Sequence, residues 1–207
     1  MTREEKATII LQQIRSLFPN LKIALNYAQD HELLIAVILA AQCTDKKVNE
    51  VTEKLFKKYP TIDAFAQADF DELCVDLHST GFYRAKAKNV IATAQKLLSH
   101  FDGKLPRTMA EMITLPGVAR KTANVVLSEL YGINEGIAVD THVTRLANKF
   151  SLTEYSDPVK IEKDLQAIVP RDDWRLFSLG LVQYGRDYSP AHKKDKTDDP
   201  ISQALHL

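Results

Sequence analysis

The sequence predicts an all-α protein. Three observations support this: apolar residues recur at helical spacing along almost the whole chain, alternating strand patterns are scarce, and the connections between apolar stripes are short. The chain has 207 residues, of which 45% are hydrophobic, and this is enough to bury a sizeable core. We therefore expect about ten helices, each ended by a turn or a capping residue.

The expected helices of the first half are separated by capping and turn residues. Asp30 is the expected N-cap of a segment that is apolar nearly all round and should therefore be a central helix. Tyr59 and Pro60 end the next stripe, and Gly81 interrupts the chain before a long helix. The expected helical segments are 9–18, 33–41, 48–56, 69–77, 85–100 and 109–113.

In the second half, Gly132 stops one helix, and Asp140 is the natural N-cap of the next. The segment after Tyr188 is polar and mixed in charge, so we expect a solvated and loosely ordered tail. Its carboxylates at Asp195, Asp198 and Asp199 are expected to face solvent and to bind no metal ion. The expected helical segments are 122–130, 141–150, 158–168 and 174–184.

Charge is balanced overall but segregated along the chain. The sequence has 27 Lys and Arg residues and 27 Asp and Glu residues. The segment 84–121 contains eight basic residues and only two acidic residues, Asp102 and Glu111, so its net charge is +6. Such a stretch can attract a phosphate backbone even on a neutral protein. The basic residues are Arg84, Lys86, Lys88, Lys96, Lys104, Arg107, Arg120 and Lys121.

Several classes of protein are disfavoured by composition. No apolar run reaches the roughly 18 residues of a membrane span, and the charged N-terminal segment predicts an amphipathic helix and not a signal peptide. Cys43 and Cys74 are expected to be buried free thiols, which excludes a disulfide framework or a cysteine-based metal site. We expect a cytoplasmic monomer that holds no metal ion and binds no membrane.

The segment 115–121, LPGVARK, lies between two helical segments. Its order of apolar, turn, apolar and helix-starting residues predicts a hairpin that exposes backbone N–H groups. These groups can hold a phosphate oxygen, helped by the positive end of the helix dipole. Gly117 allows a positive φ and a close backbone approach. On these residues alone, an ordinary helix–helix turn stays open as an alternative.

The run LPGVARKTANVVL, followed by AVDTHVTRLANK, resembles the helix-hairpin-helix and the following Asp segment of the endonuclease III family of DNA glycosylases. The segments ELLIAVILAAQCTDKKVN, STGFYRAKAKNV and LVQYGRDY resemble that family in the same order, so the resemblance covers roughly residues 5 to 188. It implies a two-lobed helix-hairpin-helix DNA glycosylase fold. In that fold, the active-site cleft lies between a six-helix barrel domain, 23–135, and a second helical domain, 1–22 plus 136–207.

The resemblance implies a base-excision repair enzyme, a DNA glycosylase with AP lyase activity on oxidised pyrimidines and abasic sites in damaged duplex DNA. The resemblance makes Lys121 the expected nucleophile, and Arg120 and the nearby helix N-terminus both disfavour a cation at this position. Its neutral amine would attack the sugar, release the base and form a Schiff base, and β-elimination would then break the strand. Asp140 would stabilise positive charge on the sugar or take a proton from Lys121.

The target nucleotide must leave the duplex for the chemistry to reach its sugar. By resemblance to the family, Gln42 and the turn at Gly81 and Phe82 are expected to fill the gap that it leaves between the bases. For Phe82, a contact in the protein core stays open as an alternative to a contact with DNA. For His142, a packed or capping role stays open as an alternative to a role in the active site. Ala119 stands where the family usually has a second glycine, and we expect it to belong to the helix, which favours alanine. The expected DNA-binding residues are Gln42, Gly81, Phe82, Arg84, Leu115, Gly117, Val118, Ala119, Arg120 and His142.

Many members of the family bind a four-iron four-sulfur cluster through four cysteines after a Gly-Arg-aromatic segment. The corresponding positions, counted from Gly185 and Arg186, are Ser189, Lys196, Asp199 and Leu205. None is a cysteine, so we expect no cluster and no other cofactor.

Two other functions stay open. One is a mismatch-directed DNA glycosylase, although such relatives usually lack a lysine at the position of Lys121. The other is a non-catalytic helix-hairpin-helix DNA-binding protein, which would not need Lys121 and Asp140 together.

Overall fold

The computed structural model describes residues 1–193 and 196–207, without the side chain of Lys193, so the prediction for Asp195 lies outside the described residues. The described residues contain helices and no strand, which confirms the all-α prediction. None of these helices is long and apolar enough to cross a membrane. The α-helices are α1 (Arg3–Leu17), α2 (Asp30–Leu39), α3 (Asp45–Lys58), α4 (Ile62–Ala66), α5 (Phe70–Leu77), α6 (Tyr83–Phe101), α7 (Met109–Met112), α8 (Arg120–Tyr131), α9 (Thr141–Lys149), α10 (Pro158–Ile168), α11 (Trp174–Asp187) and α12 (Pro200–Ala204).

The contacts divide the chain into two compact units. The central unit, Ile23–Ile133, contains α2 to α8, and the terminal unit, Met1–Lys22 with Asn134–Leu207, contains α1 and α9 to α12. The predicted division after 135 lies two residues beyond the observed one. Both cysteines are free thiols of the central unit; Cys74 is buried as expected, but Cys43 is partly exposed.

Helix α2 is the most deeply buried helix segment of the central unit, since eight of its ten residues are buried. The prediction that Asp30 is its N-cap is wrong, because Asp30 is the first helical residue. Its carboxylate accepts a hydrogen bond from the Tyr131 hydroxyl at 2.9 Å. The N-cap is Gln29 instead, and the Glu32 carboxylate accepts from the N–H groups of Ala28 at 2.6 Å and of Gln29 at 3.2 Å. A tertiary contact has therefore taken the carboxylate that the local pattern assigned to the cap.

Two short helices, α4 and α12, were not predicted from the apolar spacing. The Thr61 side chain caps α4 by accepting from the Ala64 N–H at 3.1 Å. The Phe65 side chain of α4 is fully buried against the rings of Phe56 and Tyr59. Five residues are too few to show a helical period, so the cap and the single buried aromatic ring carry the information.

The terminal unit packs its helices closely. A Cβ atom on Gly180 of α11 would lie 2.4 Å from Ile14 Cγ2 of α1, so only glycine fits at this contact. The prediction of a loosely ordered tail is wrong for the described residues after Tyr188. Ile201 and Leu205 lie in the core, and Asp199, expected to face solvent, is 5% exposed and caps α12.

Candidate active site

The hairpin between α7 and α8 has the predicted turn. Gly117 has a φ of 76°, and the Val118 N–H donates to the Leu115 carbonyl oxygen at 3.1 Å. The side chains of Leu115 and Val118 are buried, at 2% and 5% exposure. Of the proposed DNA contacts, these two residues can therefore offer only backbone groups, and their side chains hold the hairpin to the core.

Helix α6 supports the hairpin from one side. The Thr93 hydroxyl donates to the Pro116 carbonyl oxygen at 2.7 Å, and the Lys96 ammonium donates to the Thr114 carbonyl oxygen at 2.8 Å. The side chain of Asn89 packs directly against Gly117. Three residues of α6 thus hold the hairpin in place. The Lys96 ammonium is hydrogen-bonded to the protein backbone and is therefore less available to a ligand.

Gly117→Ala is expected to destabilise the protein by about 2–3 kcal/mol, roughly 1 from the left-handed φ and the rest from the clash. A Cβ at this position would lie 2.8 Å from Asn89 Nδ2 and 2.9 Å from Asn89 Cβ. Gly132→Ala is the matched control, because Gly132 has a φ of 65° and open space around it. Urea denaturation gives the free energy of unfolding of both variants and of the wild-type protein. Equal losses in the free energy of unfolding would contradict the contact between the hairpin and α6.

Helix α8 begins directly after the hairpin. Ala119 is its N-cap, with φ −85° and ψ 169°, so the prediction that Ala119 belongs to the helix is wrong. The extended backbone also removes any need for glycine there. Alanine has no side-chain oxygen for the cap, and the first N–H groups of a helix have no partner within it. Lys121, the second residue of α8, is exposed and follows Arg120.

A second exposed feature of the central unit is the turn before α6. Gly81 has a φ of 69° and Phe82 a φ of 48°, so both residues have a positive φ. The Phe82 side chain is 67% exposed, which excludes the alternative of a core contact. The Arg84 guanidinium lies over the Tyr83 ring, 6.0 Å from its centroid. The turn therefore presents an apolar ring to solvent beside a cation.

Lys86 is a residue whose role the sequence did not reveal. It was counted with the basic residues that could meet phosphate, but it is 4% exposed. Its ammonium donates to the Thr80 carbonyl oxygen at 2.7 Å and so holds the turn that carries Phe82. Burial lowers the pKa of Lys86, and nearby Cys43 partly opposes this shift. The charge available to a ligand in this stretch is correspondingly smaller than predicted.

Gln42 is exposed and left-handed, with a φ of 53°. The sequence predicted a helix over 33–41, directly before Gln42, but α2 ends at Leu39 and Gln42 lies in the turn that follows. The turn projects a polar side chain next to Cys43. Both Gln42 and Phe82 thus stand at strained positions outside regular helix, a conformation that is frequent at functional sites.

Asp140 lies in the terminal unit and caps α9, as predicted. Its carboxylate accepts from the Val143 N–H at 2.9 Å, and its backbone is extended, with φ −110° and ψ −170°. The side chain is partly exposed. A capping hydrogen bond to one oxygen fixes the orientation of the carboxylate and leaves its charge near the surface.

His142, the second residue of α9, packs against Gly185 of α11. A Cβ atom on Gly185 would lie 2.6 Å from His142 Nδ1, so glycine is required for this approach. The same Cβ would lie 3.1 Å from Arg145 Nη2. Both Nη atoms of Arg145 are buried without a hydrogen-bond partner in the described residues. Burial lowers the pKa of Arg145, whereas the carboxylates of Asp140 and Asp199 oppose this shift.

The residues at the cluster positions do not fit an iron–sulfur cluster. Ser189 offers a hydroxyl, Lys196 a cation, Asp199 a carboxylate that caps α12, and Leu205 a buried apolar side chain, whereas the cluster needs thiolates. The two cysteines both lie in the central unit, away from this segment in the chain. In the described residues, no group of three or more His, Cys, Asp or Glu is placed to hold a metal ion.

Comparison with known proteins identifies the family. Residues 35–171 match the pattern of the HhH-GPD superfamily base excision DNA repair proteins, which is more than half of the chain. The chain belongs to this superfamily. It is 46% identical over 192 residues to endonuclease III of Synechocystis sp., covering 93% of this chain and 88% of the relative. It is 38% identical over 192 residues to endonuclease III of Bacillus subtilis, covering 92% and 87%.

Solved structures give the same assignment for this HhH-GPD protein. A non-covalent complex of endonuclease III with DNA superposes with a TM-score of 0.92 at 36% identity, covering 100% of this chain and 95% of that chain. A trapped covalent intermediate of endonuclease III with DNA gives a TM-score of 0.91 at 36% identity, covering 97% and 94%. A thermostable thymine-DNA glycosylase, at 20% identity and a TM-score of 0.83, shares the fold.

These matches confirm the predicted family, in a variant without the cluster cysteines, and the predicted glycosylase fold. They also confirm the prediction of a base-excision repair enzyme, a DNA glycosylase.

Proposed function

We propose that this enzyme removes oxidised pyrimidines from damaged duplex DNA and cleaves the strand at the resulting abasic site, with Lys121 as nucleophile and Asp140 as its assisting carboxylate. The observation that carries the proposal is the position of Lys121: exposed, next to Arg120, at the uncapped start of α8. The endonuclease III relatives support it, as do two solved structures of endonuclease III with DNA, one of which is a trapped covalent intermediate.

The hairpin and the start of α8 would bind the backbone of the damaged strand. The Gly117 turn allows close approach, and the N–H groups that open α8 can donate to phosphate oxygens. Arg120 adds positive charge at the same place. Because phosphate contacts carry no sequence information, such binding is independent of the bases around the lesion and weakens as salt rises.

In the proposed reaction, the neutral Lys121 amine attacks the anomeric carbon of the flipped-out nucleotide. The bond to the base breaks and the base leaves with the electron pair, to be protonated, while the amine loses its proton. The sugar ring then opens to a Schiff base. Loss of a proton from the neighbouring sugar carbon expels the 3′ phosphate, which cuts the strand, and water later releases Lys121.

Asp140 would contribute its charge to this sequence. An ionised carboxylate stabilises the positive charge that develops on the sugar as the base leaves, and it can accept the proton that Lys121 loses. The Val143 N–H holds one oxygen of the carboxylate in a fixed direction. Such a fixed group pays no reorganisation penalty during the reaction.

Phe82→Ala is expected to weaken binding to duplex DNA with a single abasic site by about 5- to 150-fold, because stacking of a base on an aromatic ring contributes about 1–3 kcal/mol. The ring is 67% exposed, so the melting temperature should hardly change. Val75→Ala is the control, since Val75 is 75% exposed on α5. Fluorescence anisotropy gives the dissociation constants, and equal affinity of the two variants would remove Phe82 from the interface.

Borohydride trapping tests the reaction. The protein is incubated with duplexes that carry thymine glycol, an abasic site, a G·T mismatch or no lesion, with and without borohydride. We expect a covalent adduct and a cleaved strand with the first two duplexes only. Base release from the mismatch without an adduct would instead support a mismatch-directed glycosylase, and the absence of any adduct would exclude the amine mechanism.

A further inference from the structure

A largely buried ammonium group connects the C-terminal segment to α9 of the terminal unit. Lys149, the last residue of α9, donates from Nζ to Ser189 Oγ at 3.0 Å, to the Lys196 carbonyl oxygen at 2.7 Å and to the Asp199 carboxylate at 2.5 Å. The side chains of Lys149 and Asp199 are 10% and 4% exposed. Because an ammonium has three N–H donors, these acceptors satisfy it completely.

The three acceptors belong to the positions at which many relatives carry cluster cysteines. Ser189, Lys196 and Asp199 are the first three of these positions, and each supplies one oxygen to Lys149. The fourth, Leu205, is 2% exposed and lies in the apolar core of the terminal unit. Positions that would converge on a cluster in those relatives converge on a lysine in this chain.

Asp199 joins the ammonium to two further elements. It accepts from the Ser202 N–H at 3.0 Å, which caps α12, and from the Ser202 hydroxyl at 2.9 Å. It also accepts from the hydroxyl of Tyr184 in α11, and that hydroxyl accepts from the Ile201 N–H at 2.8 Å. Burial by itself raises the pKa of Asp199, but the hydrogen bonds from Lys149, Tyr184 and Ser202 outweigh it and lower the pKa.

We propose that the Lys149 ammonium, paired with Asp199, takes the place of an iron–sulfur cluster as the anchor of the C-terminal segment. It ties the described residues from 189 to 205 to α9 and α11 with groups that the chain itself supplies. The enzyme therefore folds and acts without iron. A buried ion pair suits this role because its geometry is specific and because loss of either partner leaves a buried charge unpaired.

The test compares thermal unfolding and trypsin digestion of variants, with iron measured by elemental analysis. Wild-type protein from iron-starved and iron-supplied cells should contain no iron and melt at the same temperature. Lys149→Met should lower the melting temperature by about 10 °C and expose the segment after Tyr188 to trypsin. Lys163→Met is the control, since Lys163 is an exposed lysine of the same unit, and it should change neither readout.

Asp199→Asn provides the second arm, because asparagine keeps the helix cap but removes the charge. Its control is Asp198→Asn, at an exposed neighbour. The double variant Lys149→Met/Asp199→Asn should lose less than the sum of the two single losses, since neither buried charge is then left alone. If Lys149→Met does not fold, the anchor is tested by comparing the melting temperature and trypsin digestion of Asp199→Asn with those of Asp198→Asn.

The anchor is refuted if Lys149→Met or Asp199→Asn melts and digests like its control, or if the two losses simply add. Iron in the wild-type protein, with a fall in melting temperature on its removal, would also overturn it. None of these readouts involves DNA, so they are independent of whether Lys121 is the nucleophile.

Discussion

Lys121→Ala is expected to abolish the borohydride-trapped adduct and to slow cleavage at an abasic site by at least about 1000-fold, because removal of a nucleophile eliminates the covalent pathway. Lys121 is exposed at the second position of α8, where alanine is a good helix former. The melting temperature should therefore stay within about 2 °C of the wild-type value. Single-turnover cleavage on a gel measures the rate.

The control for this prediction is Lys104→Ala, since Lys104 is an exposed lysine of the same basic stretch but lies outside the hairpin. It should weaken DNA binding slightly at low salt and leave the adduct intact. An adduct that survives in Lys121→Ala with undiminished yield would show that another amine forms the Schiff base.

Asp140→Asn is expected to reduce the rate of base release by about 100- to 10,000-fold while leaving stability almost unchanged. Asparagine is as good an N-cap as aspartate, so its side-chain oxygen can still accept from the Val143 N–H. Only the negative charge is lost. Measurement of base release and of thermal unfolding on the same preparation separates the two roles of this carboxylate.

Asp140→Ala removes the cap as well, and it should cost about a further 1 kcal/mol of stability. Asp157→Ala is a matched control, because Asp157 caps α10 by accepting from the Lys160 N–H at 2.9 Å. Both alanine variants should lose similar stability, but only Asp140→Ala should lose activity. Full activity in Asp140→Asn would restrict Asp140 to the capping role.

The parts of the fold that the sequence predicted are those encoded by neighbouring residues. The cap at Asp140 and the apolar stripe after it lie within a few residues, and α10 begins at Pro158, as predicted. Asp30 has the same local signature, yet its carboxylate bonds to Tyr131, about a hundred residues away. Local sequence cannot reveal such a competitor.

The candidate site shows the same division. Lys121, Gly117 and Asp140 stand in a pattern that sequence comparison can read. Lys86 and Lys149 do not, because a lysine in a helix is ordinarily solvated. Their burial depends on acceptors that are brought to them by tertiary structure, the Thr80 carbonyl oxygen for Lys86 and Asp199 for Lys149. The sequence showed that the cluster cysteines are absent, but it did not show that Lys149 contacts the residues at their positions.

Helix α6 connects the two exposed features of the central unit. Phe82 immediately precedes it, and Thr93 and Lys96, which hold the hairpin, belong to it. The eleven positions from Phe82 to Thr93 span about 16 Å along the axis of a rigid helix. Under the proposed contacts, Phe82 would enter the base stack and the hairpin would bind phosphates, and the rigid helix α6 would hold these two contacts apart. The distance between the base stack that Phe82 would enter and the phosphates that the hairpin would bind is then set by the protein and not by the DNA.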